Sequence, residues 1–128
     1  MKARMLKTLA VAAAALSMAG CATTNSLYQW GGYEDQLYAA YKDPTQVEAL
    51  RLKLEAHIQA SEKAGQKVAP GLYAELGTLY LQAGANGKAM DYYALERKAW
   101  PESQQLMTAM IENLERIEAA RQQKVTTK

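Results

Sequence analysis

The chain has no phenylalanine, one cysteine and one histidine in its 128 residues. One cysteine excludes a disulfide within the chain, so packing must hold the fold together. Cys21 and His57 cannot between them make a metal site, which takes three or four converging ligands. No glycine-rich phosphate loop and no nucleophile elbow is present. Catalysis, nucleotide chemistry and a metal cofactor therefore have no motif behind them, and the sequence predicts a protein that is not an enzyme. His57 lies beside Ile58, with Glu55 too near in sequence to share its face, and reads as a surface or boundary residue. Strand signals are scarce: β-branched residues are few, and no stretch alternates with period two. Without phenylalanine, aromatic packing falls to eight tyrosines and two tryptophans. Each of these joins a large apolar area to a polar tip.

What the chain does have begins with a leader. Lys2, Arg4 and Lys7 precede an apolar, alanine-rich run from Leu9 to Leu16, and then Ser17-Met18-Ala19-Gly20-Cys21. This is the pattern of a secretory signal, too short to span a bilayer comfortably. It resembles a bacterial lipoprotein signal, with Met18 where leucine is commoner. That resemblance implies cleavage after residue 20 and a diacylglyceryl group on the Cys21 thiol. A third acyl chain, palmitate, would sit on the freed amine. Acyl chains each contribute about 0.8 kcal/mol per buried CH₂, so the covalent lipid is the only membrane attachment required. Ala22, Thr23 and Thr24 follow. By the same resemblance, the lack of an aspartate after the cysteine sends the protein to the outer membrane, facing the periplasm. Losing the three leader cations leaves twelve basic against thirteen acidic residues, a formal change from +2 to −1. Near-neutral charge and export both disfavour a nucleic-acid partner.

The remainder predicts one all-α domain of about five short helices. Glu34 to Tyr41 is the first. Asp43-Pro44-Thr45-Gln46 reads as an N-cap, a first-turn proline and a capping-box glutamine. They open a second helix whose Val47, Leu50, Leu54 and Ile58 form one stripe, with Gly65 as its stop. Pro70 opens a third, with Leu72, Tyr73, Leu76, Leu79 and Tyr80. Asn86 caps a fourth running to about Ala99, and Pro101 opens a fifth with a Leu106, Met110, Leu114, Ile117 stripe. The expected layout is a tether over 21–29, a helical domain over 30–122 and a flexible tail over 123–128.

Within that layout, Tyr73-x₂-Leu76-Gly77-x₂-Tyr80, Gly84, Ala89-x₃-Tyr93 and Pro101 resemble the tetratricopeptide pattern. The best repeat is 70–103. Gly77 and Ala89 would be small because two helices cross there, and Leu76, Tyr80 and Tyr93 would fill the space between them. Glu96 departs from the pattern, standing where a small residue is usual. No second copy is found 34 residues away. One repeat cannot bury its own face. The flanking helices must therefore serve as diverged neighbours, or a partner must cover apolar surface.

Two surfaces are candidates for that partner. The resemblance implies that Ala74, Thr78, Leu81 and Gln82 line a concave face; equally, they could pack against the preceding hairpin. The second is the dense aromatic cluster Tyr28, Trp30, Tyr33, Tyr38 and Tyr41. Its rings suit either the end of a small core or an interface. Leu27-Tyr28-x-Trp30-Gly31-x-Tyr33-Glu34, the 70–80 stretch and Trp100-Pro101-Glu102-Ser103 are also similar to a family of short proteobacterial lipoproteins of unknown function. Members tend to be encoded beside two other lipoproteins, one similar to the curli secretion channel subunit. That resemblance implies a three-lipoprotein envelope assembly and supplies neither an activity nor site residues. The expected role is an interaction adaptor that scaffolds other envelope lipoproteins. The alternative is a regulator contacting a peptidoglycan synthase or the cell wall.

Overall fold

The computed structural model describes residues 27–126. The leader, Cys21, residues 22–26 and the last two residues lie outside this range. Five α-helices and no strand are found among the described residues. They are α1 (Tyr33–Lys42), α2 (Val47–Lys63), α3 (Leu72–Gln82), α4 (Asn86–Ala99) and α5 (Gln104–Thr126). Short 3₁₀ turns, Pro44–Gln46 and Pro101–Ser103, precede α2 and α5. The fold is all-α, as predicted. Each helix packs mainly on the next in chain order, and short connections make neighbours antiparallel. The turns therefore gather at two ends. We call the end holding the 64–71 connection and the Pro101–Ser103 turn the base.

The core follows the predicted stripes on three helices. Leu50, Leu54 and Ile58 of α2 meet Leu72, Leu76 and Leu79 of α3, and Tyr93 and Ala89 of α4 close the other side. Each large apolar side chain buried this way stabilises by about 1.5–3 kcal/mol. Gly77 sits where α3 and α4 cross. A Cβ there would lie 2.8 Å from the Tyr93 ring and 3.1 Å from the Ala89 carbonyl oxygen. Glycine is thus required by space, as its place in the repeat pattern predicted. Gly65 and Gly84 stop α2 and α3 in the same way. Gln66 N donates to Ser61 O and Ala85 N to Tyr80 O, each at 2.9 Å, which satisfies carbonyls left open at the helix ends.

Several boundaries differ from expectation. Helix α3 starts at Leu72, not Pro70, because Gly71 has φ +88°, a left-handed conformation incompatible with a helix. Asn86 does not cap α4; it is the first helical residue, and its amide instead donates to Glu118 of α5. The Asp43 carboxylate accepts from Thr45 N at 3.0 Å and Thr45 Oγ1 at 2.7 Å. These bonds hold its carboxyl below the usual range. Asp43 N donates to Ala39 O, so that amide is already used and Gln46 completes no capping box with it. On α5 the buried centre is Met107 and Leu114, flanked by Met110 and Ile111, while Leu106 is largely and Ile117 partly exposed. At 100° per residue the apolar positions span about 140°. Among the described helices α5 packs chiefly on α4, which covers only the middle of that arc. The helix also continues to Thr126 through the predicted tail.

Candidate protein-interaction surface

Helix α1 carries apolar residues on two sides. Gly32, at φ +71°, turns the chain into it. Its inner side places Ala40 in the core, with Tyr33 half-buried beside it. Burial, and then the nearby Glu75 carboxylate, push the Tyr33 hydroxyl up to about 12. The other side holds Glu34, Leu37, Tyr38 and Tyr41, positions i, i+3, i+4 and i+7 of a single stripe. They line a shallow depression of about 380 Å³. Leu37 is 41 % exposed, Tyr38 60 % and Tyr41 86 %. The Lys42 ammonium stands 4.8 Å above the Tyr38 ring, a cation–π contact that leaves the other face of the ring open.

The predicted aromatic cluster is therefore divided. Tyr28, Trp30 and Tyr33 pack against the core; Tyr38 and Tyr41 do not. Tyr28 meets Trp100 edge-on at 5.4 Å, and the Lys67 ammonium lies 3.6 Å over that tryptophan. Tyr28 and Gln29, expected in the tether, are thus part of the folded domain. His57 is why: its Nε2 lies 2.8 Å from the Gln29 carbonyl oxygen. A Cβ on Gly31 would collide with the same imidazole. The void among Trp30, Gly31, Tyr33 and His57 is only about 10 Å³, too small for a ligand.

The concave-face set fares differently. Ala74 and Leu81 pack against the core, Thr78 is half-buried and Gln82 alone is exposed. Thr78 Oγ1 donates to Ala74 O at 3.0 Å and lies 3.1 Å from the Tyr93 hydroxyl. That hydroxyl is engaged inside the α3–α4 hairpin, so Ala74, Thr78 and Leu81 serve packing. They do not extend the α1 stripe.

Two polar constellations had no reading in the sequence. In the first, Arg51 Nη1 donates to the Tyr80 hydroxyl at 2.8 Å, which donates to Glu55 Oε1 at 2.9 Å. Tyr92 stacks on Tyr80 with centroids 5.5 Å apart and donates to the same carboxylate at 3.3 Å. Burial, and then Glu55, push the Tyr92 hydroxyl up to about 12. Burial also raises Tyr73, whose hydroxyl donates to Glu62 at 2.7 Å. Arg51 is raised mainly by its hydrogen bond to Glu48. The Glu48, Arg51, Glu55 spacing on one helix face was a legible signal; the tyrosines on other helices were not. These groups satisfy one another and lock α2, α3 and α4 together.

The second constellation is Glu96, 1 % exposed. Its Oε1 accepts from Gly71 N at 2.8 Å and Ser103 Oγ at 3.2 Å. The carboxylate thus caps the start of α3, where the helix dipole favours negative charge. The departure from the repeat pattern is a device that ties α4 to the base of α3. Among the described residues, no cluster of three or more acidic, histidine or cysteine side chains could hold a metal ion. No described helix is long and apolar enough to cross a membrane.

Fold and surface together define an all-α domain of successive antiparallel helices with an apolar stripe left open on its first helix. Residues 27–110 match the family described as a domain of unknown function, DUF4810, and the chain belongs to that family. No curated protein and no solved structure matches it.

Proposed function

We propose that this protein is a lipid-anchored adaptor of the bacterial outer membrane, facing the periplasm and held by acyl chains on Cys21. Its work is binding: a helix of another envelope lipoprotein, such as one similar to the curli channel subunit, lies along α1. The observation that carries this reading is the open Leu37, Tyr38, Tyr41 stripe, whose spacing is the one an amphipathic helix presents to another helix. The tetratricopeptide-like hairpins supply the rigid frame behind it.

Co-purification from detergent-solubilised membranes tests this. The intact chain should bring down a lipoprotein partner at fixed stoichiometry, and Tyr38→Glu with Tyr41→Glu should lose it. Aromatic hot-spot anchors at interfaces contribute about 2 kcal/mol or more each, so losing two should lower affinity about 1,000-fold. Both residues are exposed, so the melting curve should barely move. Recovery of only a wall synthase or peptidoglycan fragments would favour the regulator instead. An unchanged partner in the double variant would remove the α1 surface from the account.

A further inference from the structure

Helix α5 outruns the hairpin it packs on. Arg97 Nη1 donates to Thr108 Oγ1 at 3.4 Å, and the amide of Asn86, the first residue of α4, donates to Glu118. Residues 119–126 therefore continue past the start of α4 for about 12 Å, and all of them are exposed. Along this arm Ile117, Arg121 and Val125 follow at four-residue steps on the side that buries Leu114, with Lys124 beside them. Ile117 is 39 % exposed and Val125 78 %. Two turns of helix with no packed face gain little stability of their own. A row of helical hairpins needs a polar outer surface at each end. In this chain apolar side chains stand open at both ends, on α1 and on α5.

The two open faces carry opposite charge. On the arm, Arg121 and Lys124 stand at the stripe. Glu118 accepts from Asn86 and, at 3.3 Å, from Arg121. Glu112 and Glu115 lie about 120–180° round the helix from the stripe. Residues 82–90, the turn and helix start beside the arm, hold Lys88 and no acid; Asp91, the first acid of α4, is in its second turn. On α1, Glu34 belongs to the stripe and Asp35 shares its first turn. Asp43 follows the helix, and Glu75 of α3 stands near Tyr33. Lys42 is the single cation of α1. Lys53 of α2 lies by Gln36, about 150° round α1 from the stripe.

We infer that α1 of one copy of this chain docks on the α5 arm of a second copy. Antiparallel contact brings Glu34 to Lys124 as Tyr41 meets Ile117, because seven positions separate Glu34 from Tyr41 and Ile117 from Lys124. It also sets the N-terminus of α1 against the C-terminus of α5, the favourable pairing of helix dipoles. An α5–α5 pair would instead set the Arg121 and Lys124 of two copies together. The contact joins two different surfaces, so it is heterologous and leaves one α1 and one α5 open at the ends of a row. This rests on the reading of α1 as a docking surface and names a helix that it holds. The α1 left open at the end of the row remains for a different lipoprotein.

Disulfide trapping in the full chain, purified from membranes in detergent, tests the contact. Tyr41→Cys and Ile117→Cys are made in separate chains and mixed under mild oxidation, and peptide mass spectrometry identifies the bridge. A bridge between positions 41 and 117 should form in the mixture. Its absence would overturn the contact. So would Ile117→Cys chains that pair among themselves as readily, since the arm would then hold a second α5. Glu34→Lys on the first chain, or Lys124→Glu on the second, should each lower the yield about fivefold, and the two together should restore it. A yield indifferent to both reversals would overturn the pairing. All four positions are exposed, so circular dichroism melts of the variants should match the parent. Lys124→Glu leaves α1 untouched. Co-purification of a different lipoprotein with that variant therefore tests the adaptor reading independently of the contact between copies.

Discussion

Gly77→Ala separates two opposing effects of known size. Alanine is the better helix former, by about 1 kcal/mol, and on an exposed helix the change would stabilise. Here the new methyl would lie 2.8 Å from two carbons of the Tyr93 ring and 3.1 Å from the Ala89 carbonyl oxygen. The ring is fully buried, and its hydroxyl lies 3.1 Å from Thr78 Oγ1. It cannot swing aside without opening the hairpin. Inserting a methyl into such a site costs about 1–3 kcal/mol, occasionally more, and two close contacts put this case at the upper end. The sum predicts a net loss of about 2 kcal/mol, or roughly 10 °C in melting temperature for a domain of this size. Urea and thermal melts followed by circular dichroism measure it. Tyr93→Leu in the same background should recover part of the loss by making room. An alanine variant as stable as the parent would refute the close α3–α4 crossing.

Other substitutions and a pH titration probe the same structure. Glu96→Ala should destabilise by about 3 kcal/mol, since it orphans Gly71 N and leaves a cavity. Glu96→Gln, which keeps an acceptor, should lose much less, as denaturant melts would show. The Tyr33 and Tyr92 hydroxyls are raised to about 12 in the folded state. A raised acid favours the neutral form, so its contribution is complete below pH 10, the unfolded value, and is lost as pH rises from 10 toward 12. Tyrosinate absorbance should show a late-titrating group, and stability should fall over that window. Cys21→Ser should leave the chain soluble in the periplasm or uncleaved at the inner membrane; unchanged outer-membrane fractionation would refute the anchor.

The parts of the fold legible in the sequence were those written locally. The α2 and α3 stripes and the Gly65 and Gly84 stops depend on residues a few positions apart, and the Gly77–Ala89 pair on two residues of one hairpin in the spacing of the repeat pattern. What was not legible depends on partners distant in the chain. Nothing near Asn86 announces Glu118, and nothing near Glu96 announces Gly71. Each long-range bond moved a predicted helix start or explained an odd residue. His57 shows the same limit. Read alone it is a boundary histidine, yet 28 positions away it binds the backbone of the segment that precedes α1. For the aromatic cluster, composition could not choose between core and interface. The turn at Gly31 and Gly32 decided it, sending Tyr28 and Trp30 one way and leaving Tyr38 and Tyr41 open.

The adaptor reading is tested most directly by a photo-crosslinking amino acid placed at Tyr41 in the native envelope. Illumination should give one discrete adduct with a lipoprotein at this position, and none from the same probe at Glu112 on the outward side of α5. Equal adducts from both positions, or none from Tyr41, would contradict the claim that α1 is where this protein holds its partner.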